Sequence, residues 1–170
     1  VLEEKLESIS KMSANLSKNI SSFNSSFNKT SQKKNVNIKE IVNTLIDMLE
    51  QSNAKNQVTI ERELSDIPEI ETYEDEFRDI TLSIFTNSLE AFKRNKTLKP
   101  MIDVSLTVQD KENRILLQII DNAGGISKQI LDHVFDPYFT TKSEKGKGMG
   151  LYMAKTVVET HLEGTIDIEN

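Results

Sequence analysis

The amino-acid sequence predicts an α+β domain, a two-layer α/β sandwich, preceded by a long N-terminal coiled-coil helix. Three observations predict it. Apolar residues in the first 27 positions recur at alternating steps of four and three, the spacing of an interhelical seam. Ile102, Val104, Leu106 and Val108 alternate with polar neighbours, as in a strand with one buried face. Strand and amphipathic-helix patterns then follow one another in mixed order, which requires a mixed sheet with helices on one face.

The seam comprises Leu2, Leu6, Ile9, Leu16, Ile20, Phe23 and Phe27, with Ser13 in the skipped position. This stripe is narrower than the apolar face of a helix packed on its own domain, so it reads as an oligomer seam. Residues 28–37 (NKTSQKKNVN) are polar and aperiodic and read as a linker. The division follows: 1–30 as the seam helix and 31–170 as the globular domain. Ile38–Asn53 is an amphipathic helix with Ile41, Leu45, Met48 and Leu49 on one side. Val58–Leu64 and Ile70–Tyr73 suggest strands. Glu74–Asn95 is a long helix, with apolar residues from Phe77 to Ala91 burying most of its surface. Asp103–Gln109 is a half-buried strand. Arg114–Ile120 is a second, whose near-continuous apolar run suggests a central position, and Lys111–Asn113 marks the hairpin turn between them. A short helix follows Ile126, then an irregular stretch to Gly148. Gly150–Leu162 is a helix with Leu151, Ala154, Val157, Val158 and Leu162 inward, and Thr165–Ile168 starts a strand.

Composition excludes several functions. The chain has no cysteine, hence no disulfide, thiolate metal site or cysteine nucleophile, in keeping with a cytoplasmic location. Its net charge is −6, which disfavours broad nucleic-acid binding through phosphate neutralisation. No apolar run reaches the ~20 residues of a membrane span, so no membrane contact is expected of this stretch. The first residue is Val, and we expect a fragment, with room for a membrane anchor upstream.

Three motifs carry candidate chemistry, two of them at the ends of regular elements. Asp121-Asn122-Ala123-Gly124-Gly125-Ile126 directly follows an apolar strand. A carboxylate there can accept a hydrogen bond from an exocyclic amine, and the glycines let backbone approach a ligand; a plain turn fits the same residues. Gly146-Lys147-Gly148-Met149-Gly150-Leu151 opens a helix, where free amides and the helix dipole bind phosphate. Lys142, Lys145 and Lys147 add positive charge. Neither the dinucleotide-binding nor the Walker pattern fits these glycines. Asn87, inside the long helix, is either a buried carboxamide satisfied by backbone or a Mg²⁺ ligand completed by phosphate and water.

Together these motifs resemble the GHKL, or Bergerat, ATP-binding fold. Ile84–Ala91 resembles the N box, Asp121–Ile126 the G1 box, Val134-Phe135-Asp136-Pro137-Tyr138-Phe139-Thr140-Thr141-Lys142 the F box, and Gly146–Leu151 the G2 box. An F box is characteristic of sensor histidine kinases within the group, and the likeness covers about Asn35 to Asn170. It implies that Asn87 holds Mg²⁺ and that Asp121 bonds the adenine amine of ATP. Gly125, Ile126, Gly146, Gly148, Met149, Gly150 and Leu151 border the nucleotide in the same reading. Residues 127–148 would form a mobile lid from which Lys142 reaches the phosphates, with Lys93 and Arg94 as further phosphate candidates. Phe135 and Phe139 would anchor the lid or belong to the core.

The resemblance further implies an ATP-dependent histidine kinase module of a two-component system, working as a homodimer through its N-terminal helix and passing phosphate to a response-regulator receiver domain. Residues 1–30 would be the second helix of the dimerisation hairpin. The acceptor histidine is expected on a helix upstream, because His133 and His161 both lack its acidic-flanked helical context. One further strand is expected after Asn170. Ser83 stands one turn before Asn87, where hydrolysing relatives carry a Glu. A serine cannot act as that base, which favours phosphotransfer. Glu90 is expected to point outward. Ala123 replaces a usual Gly and is tolerated only at negative φ. Two alternatives stay open: a GHKL ATPase clamp, marked by hydrolysis that depends on Asn87, and a nucleotide-silent dimer scaffold.

Overall fold

The computed structural model describes residues 32–52, 58–109, 114–141 and 148–170. The seam helix, the turn at Lys111–Asn113 and the basic stretch Lys142–Lys147 lie outside the described residues. The chain divides into two units, Val1–Gln32 and Lys33–Asn170, and every element named below belongs to the second.

That unit runs β1 (Lys34–Val36), α1 (Ile38–Ser52), β2 (Thr59–Leu64), β3 (Ile70–Thr72), α2 (Glu74–Asn95), β4 (Met101–Gln109), β5 (Arg114–Asp121), α3 (Lys128–Leu131) and α4 (Gly150–Thr160). Two sheets form. β1 pairs antiparallel with β3, Lys34 opposite Thr72. The other has the order β2-β4-β5, parallel between β2 and β4 and antiparallel between β4 and β5. The expected mixed sheet is present.

The helices form where local chemistry allows. Asn37 caps α1, its side-chain carbonyl accepting from the Glu40 amide at 3.2 Å, the role in which Asn excels. α2 opens on Glu74, Asp75 and Glu76 and closes on Lys93 and Arg94, each sign matching its end of the helix dipole. It stops at Lys96, whose left-handed backbone (φ 50°) returns an amide to Phe92, a common way to satisfy terminal carbonyls.

The core lies between the three-stranded sheet and α1 and α2. Ile38, Val42, Leu45 and Ile46 of α1, Phe85 of α2, and Ile102, Val104 and Leu106 of β4 are buried there. Ile115, Leu117 and Ile119 of β5 pack against them. The opposite face of the sheet carries Asp103, Ser105 and Gln118, with Ile120 57% exposed. One covered face makes this a two-layer sandwich. Arg62 ties β2 to α1, reaching Asp47 and Glu50 at 2.8 Å each.

Several local expectations are corrected. Lys34–Val36, read as linker, is a strand. Its partner is more than thirty residues away, so local composition carries no trace of the pairing. The strand expected at Ile70–Tyr73 is present as Ile70–Thr72, and it pairs with β1. Met48 is 57% exposed, because Ile38, Ile41, Val42, Leu45, Ile46 and Leu49 already fill the buried face of α1. α2 buries one face, not most of its surface; Leu82 is 40% exposed. β5, expected to be central, is an edge strand among the described residues, and β4 takes the centre. Thr165–Ile168 forms no strand. It keeps alternating half-buried Ile166 and Ile168, yet side-chain alternation makes no ladder without a paired backbone.

Candidate nucleotide site

β5 delivers Asp121 to its C-terminal end, and the turn beyond is pinned from two sides. The Ala123 amide donates to Asp121 Oδ1 at 3.0 Å, and the Ser88 hydroxyl of α2 donates to Asp121 Oδ2 at 2.7 Å. Two helical turns along α2, Asn95 Nδ2 donates to the Ala123 carbonyl at 2.6 Å. Asn122 holds the other flank, its carbonyl accepting from the Met101 amide at 2.9 Å and its amide donating to Lys99 O at 3.1 Å. The turn is therefore rigid before Gly124 and Gly125, whose φ values are +106° and +72°. L-residues other than Gly rarely take such angles. Ala123 is buried and has no positive φ, as its tolerance required. Ile126 sits half-buried just beyond, its amide donating to Asn170 Oδ1 at 2.7 Å.

The start of α4 forms a second wall. Gly148 has φ +63°, and a Cβ there would lie 2.5 Å from Tyr138 C and from Phe139 O. Met149 and Leu151 are half-buried. A Cβ on Gly150 would lie 3.5 Å from Ser83 Oγ, so Ser83 faces the N-terminus of α4. Ser83 and Asn87, both half-buried, are one turn apart on α2. Ser88 and Asn95 lie on the adjoining face, toward the Asp121 turn. α2 thus stands between the turn and the glycine-led start of α4.

Residues 133–139, in the stretch after the turn, make aromatic contacts. Lys155 Nζ of α4 lies 5.0 Å from the centre of the Phe135 ring, a cation–π contact, and Val134 is buried beside it in the chain. Phe139 tilts against His133 at 6.1 Å, whose Nδ1 pairs with Asp136 at 2.7 Å. Both Phe135 and Phe139 are half-buried. Tyr138 takes a left-handed φ of 65°, which costs about 1–2 kcal/mol for an L-residue. His161 pairs with the buried Glu76 carboxylate at 2.9 Å and stacks obliquely on Tyr73 at 5.8 Å, so both histidines hold structural contacts.

The sequence-predicted residues are distributed accordingly. Asn87, Asp121, Gly125, Ile126, Gly148, Met149, Gly150 and Leu151 lie on the turn, α2 and the start of α4. Lys142 and Gly146 lie outside the described residues. Lys93 and Arg94 are exposed in the last turn of α2, and Arg94 Nε reaches Asn95 Oδ1 at 3.5 Å. Glu90 is exposed, as expected. Ser88, Asn95 and Lys155 were missed. Ser88 and Asn95 carry a signal in retrospect: two small polar residues seven apart, parallel to the buried Phe85 and Phe92.

This donor set fits a nucleotide. The fixed carboxylate offers acceptors to an amine, and a Cβ on Gly124 would meet nothing closer than Asn95 Nδ2 at 3.9 Å, so backbone there can be approached closely. Among the described residues no group of three or more His, Cys, Asp or Glu could hold a metal ion. A divalent cation here would need the Asn87 carbonyl together with oxygens brought by a phosphate ligand.

Comparison with known proteins agrees. Residues 72–170 match the family model described as histidine kinase-, DNA gyrase B- and HSP90-like ATPase. The chain is 27% identical over 134 residues to sensor histidine kinase ZraS of Escherichia coli (strain K12), covering 78% of this chain and 27% of that protein. It is 33% identical over 119 residues to sporulation kinase D of Bacillus subtilis (strain 168), covering 68% of this chain and 22% of the relative. The chain thus spans about a quarter of the length of these curated relatives. Among solved structures, the catalytic domain of histidine kinase ThkA aligns with a TM-score of 0.64 at 16% identity, covering 76% of this chain and 82% of that one. ThkA in complex with response regulator protein TrrA aligns with a TM-score of 0.70 at 15% identity, covering 100% of this chain and 48% of that one. Because residues 72–170 match that family model, the chain belongs to the histidine kinase-, DNA gyrase B- and HSP90-like ATPase family, as an ATP-binding domain of the sensor histidine kinase type.

Proposed function

We propose that the chain is the phosphoryl-donating part of a protein-histidine kinase of a two-component system. The observation that carries this reading is the pairing of a fixed base site with a hydroxyl in place of a hydrolytic base. Asp121 is held by Ser88 and Ala123, while Ser83 occupies the position on α2 that faces the start of α4. Bound Mg²⁺–ATP would supply the transferable phosphoryl group and most of the charge neutralisation, as in other phosphoryl transfers.

The chain's own residues bind, orient and enclose. Asp121 accepts from the adenine amine. Asn87 offers its carbonyl oxygen to the cation. Gly125, Ile126, Gly146, Gly148, Met149, Gly150 and Leu151 line the nucleotide with backbone and short contacts, and the α4 N-terminus presents amides to phosphate. Lys142, with Lys93 and Arg94 as outlying cations, adds positive charge toward the phosphates. Ser83 has no pKa suited to deprotonating water at neutral pH, so the phosphoryl group is kept for a histidine acceptor.

In the same reading residues 1–30 form the second helix of a dimerisation hairpin and 31–170 the catalytic domain. The protein is a homodimer at the cytoplasmic side, and its phosphate passes to a response-regulator receiver domain. The complex of ThkA with TrrA supports that choice of partner.

The test has two parts. Calorimetric titration should show Mg²⁺–ADP binding that Asn87→Ala weakens. Incubation with γ-labelled ATP and a separate hairpin bearing a histidine should transfer label to the histidine with little steady-state phosphate release. Hydrolysis without transfer, lost on Asn87→Ala, would instead identify an ATPase clamp. No binding at millimolar ADP would leave only a scaffold. For the seam, Leu16→Asp with Ile20→Asp should give a monomer by light scattering that still binds ADP.

A further inference from the structure

Ser88 is buried, with 5% of its surface exposed, and its hydroxyl spends its only proton on Asp121 Oδ2 at 2.7 Å. Asp121 Oδ1 takes the Ala123 amide at 3.0 Å. Each carboxylate oxygen thereby has one fixed donor, and turning the carboxylate about its side-chain torsions breaks both bonds. The turn cannot follow such a rotation, because Asn95 holds the Ala123 carbonyl at 2.6 Å from the same face of α2. Asp121 itself is only half-buried. With both oxygens held by these donors, its remaining lone pairs keep a fixed direction.

We propose that Ser88 is a positioning residue of the base site: by fixing the Asp121 carboxylate as an acceptor edge, it sets the preference for a purine with an exocyclic amine over one with a carbonyl at that position. The inference rests on the reading that Asp121 accepts from the adenine amine. The physical basis is a difference in cost. An amine donates to a fixed carboxylate, a charge-assisted bond. A ring carbonyl facing the same lone pairs brings two acceptors together, and a carboxylate that cannot turn away cannot relieve the clash. Sites built to hydrogen-bond one group reject its analogue because buried polar atoms are otherwise left unpaired. A carboxylate freed of Ser88 can rotate, so it loses part of the bond to adenine and part of the penalty against an oxo-purine.

The test compares ADP with inosine diphosphate, whose base carries a 6-oxo group in place of the 6-amine and, with it, a proton on N1. Calorimetric titrations would be run on the full chain and on three variants, with urea melts to confirm folding. The parent should bind ADP at least about tenfold more tightly than inosine diphosphate. Ser88→Ala should weaken ADP by about five- to tenfold and change inosine diphosphate by less than about twofold, so that the ratio collapses. Ser88→Thr, which keeps the hydroxyl, should retain most of the ratio. Ser88→Cys keeps the volume with a weak donor and should lose the ratio like Ala, which preserves the test if Ala at this buried position unfolds. A role confined to tying α2 to β5 would weaken both nucleotides equally; an unchanged ratio in the Ala or Cys variant overturns the proposal. Equal binding of both nucleotides by the parent, or binding of neither, overturns the reading of Asp121 itself and is recognisable without any variant.

Discussion

Gly148→Ala probes the joint between the F-box segment and α4. Two penalties can be worked from the geometry. The backbone angle at Gly148 is φ +63°, and placing an L-residue there costs about 1–2 kcal/mol. The added Cβ would lie 2.5 Å from Tyr138 C and from Phe139 O, against a contact distance of about 3.5–4.0 Å. Both atoms are backbone, so no side chain can swing aside, and the Tyr138–Phe139 peptide must retreat by about 1 Å. Displacing it strains Tyr138, already left-handed at φ 65°. Overpacking of this kind adds about 1–3 kcal/mol, for a total of roughly 2–5 kcal/mol. The joint lies outside the main core of α1, α2 and β4, so it can open locally while that core stays folded. The expected outcome is an ADP affinity reduced more than about tenfold, or 1.4 kcal/mol, with urea-unfolding stability lowered by less than about 1 kcal/mol. Gly164→Ala is the control. It has no positive φ, and its nearest neighbour is a Val158 methyl at 3.3 Å, which can give way. Calorimetry and urea melts on both variants read the difference. ADP affinity within twofold of the parent in Gly148→Ala would refute the argument.

Three further outcomes follow from particular contacts. Asp121→Asn should weaken ADP binding by about 1–3 kcal/mol, through loss of a hydrogen bond to a charged acceptor; unchanged affinity by calorimetry would show that Asp121 does not meet the base. Lys34 and Arg78 hold the Glu74 carboxyl below its ordinary value of 4.5, so this group stabilises the fold above that pH and ceases to do so as acid protonates it in the folded state. Glu74→Gln should therefore cost about 0.5–1 kcal/mol at pH 7, with the difference from the parent shrinking in urea melts run below pH 4.5; a constant difference across pH would contradict the linkage. Tyr138→Gly should relieve the left-handed backbone, less the entropy that Gly adds to the unfolded chain, for a net gain of up to ~1 kcal/mol. A loss of more than that in thermal or urea melts would mean that the Tyr138 side chain, in a residue 46% exposed, contributes more packing than this exposure suggests.

Much of the fold was written in short-range patterns. Glu74–Asn95 needed only its helical period and its charged ends, and β4 only its alternation. Asp121, Gly125 and Gly148 likewise stood out by residue type and by their position at the end of an element. Long-range matters were different. The Lys34–Val36 strand depends on a partner beyond the reach of any window. An apolar run such as Ile115–Ile120 has the same composition whether a strand stands on both its edges or on one. Alternation at Thr165–Ile168 describes how side chains face and says nothing of whether a backbone is there to pair.

The sequence by itself determined that a carboxylate, a glycine turn, an Asn-bearing helix and a second glycine-led helix were present in the order of an ATP site. It also placed Ser83 one helical turn before Asn87. Only the tertiary structure decided which groups hold that site in shape. Ser88 and Asn95 look like ordinary small polar residues on a helix until β5 brings Asp121 and Ala123 against them. The reason is physical: a residue's intrinsic chemistry is local, but the direction of a carboxylate is set by donors that only the packed chain brings within reach.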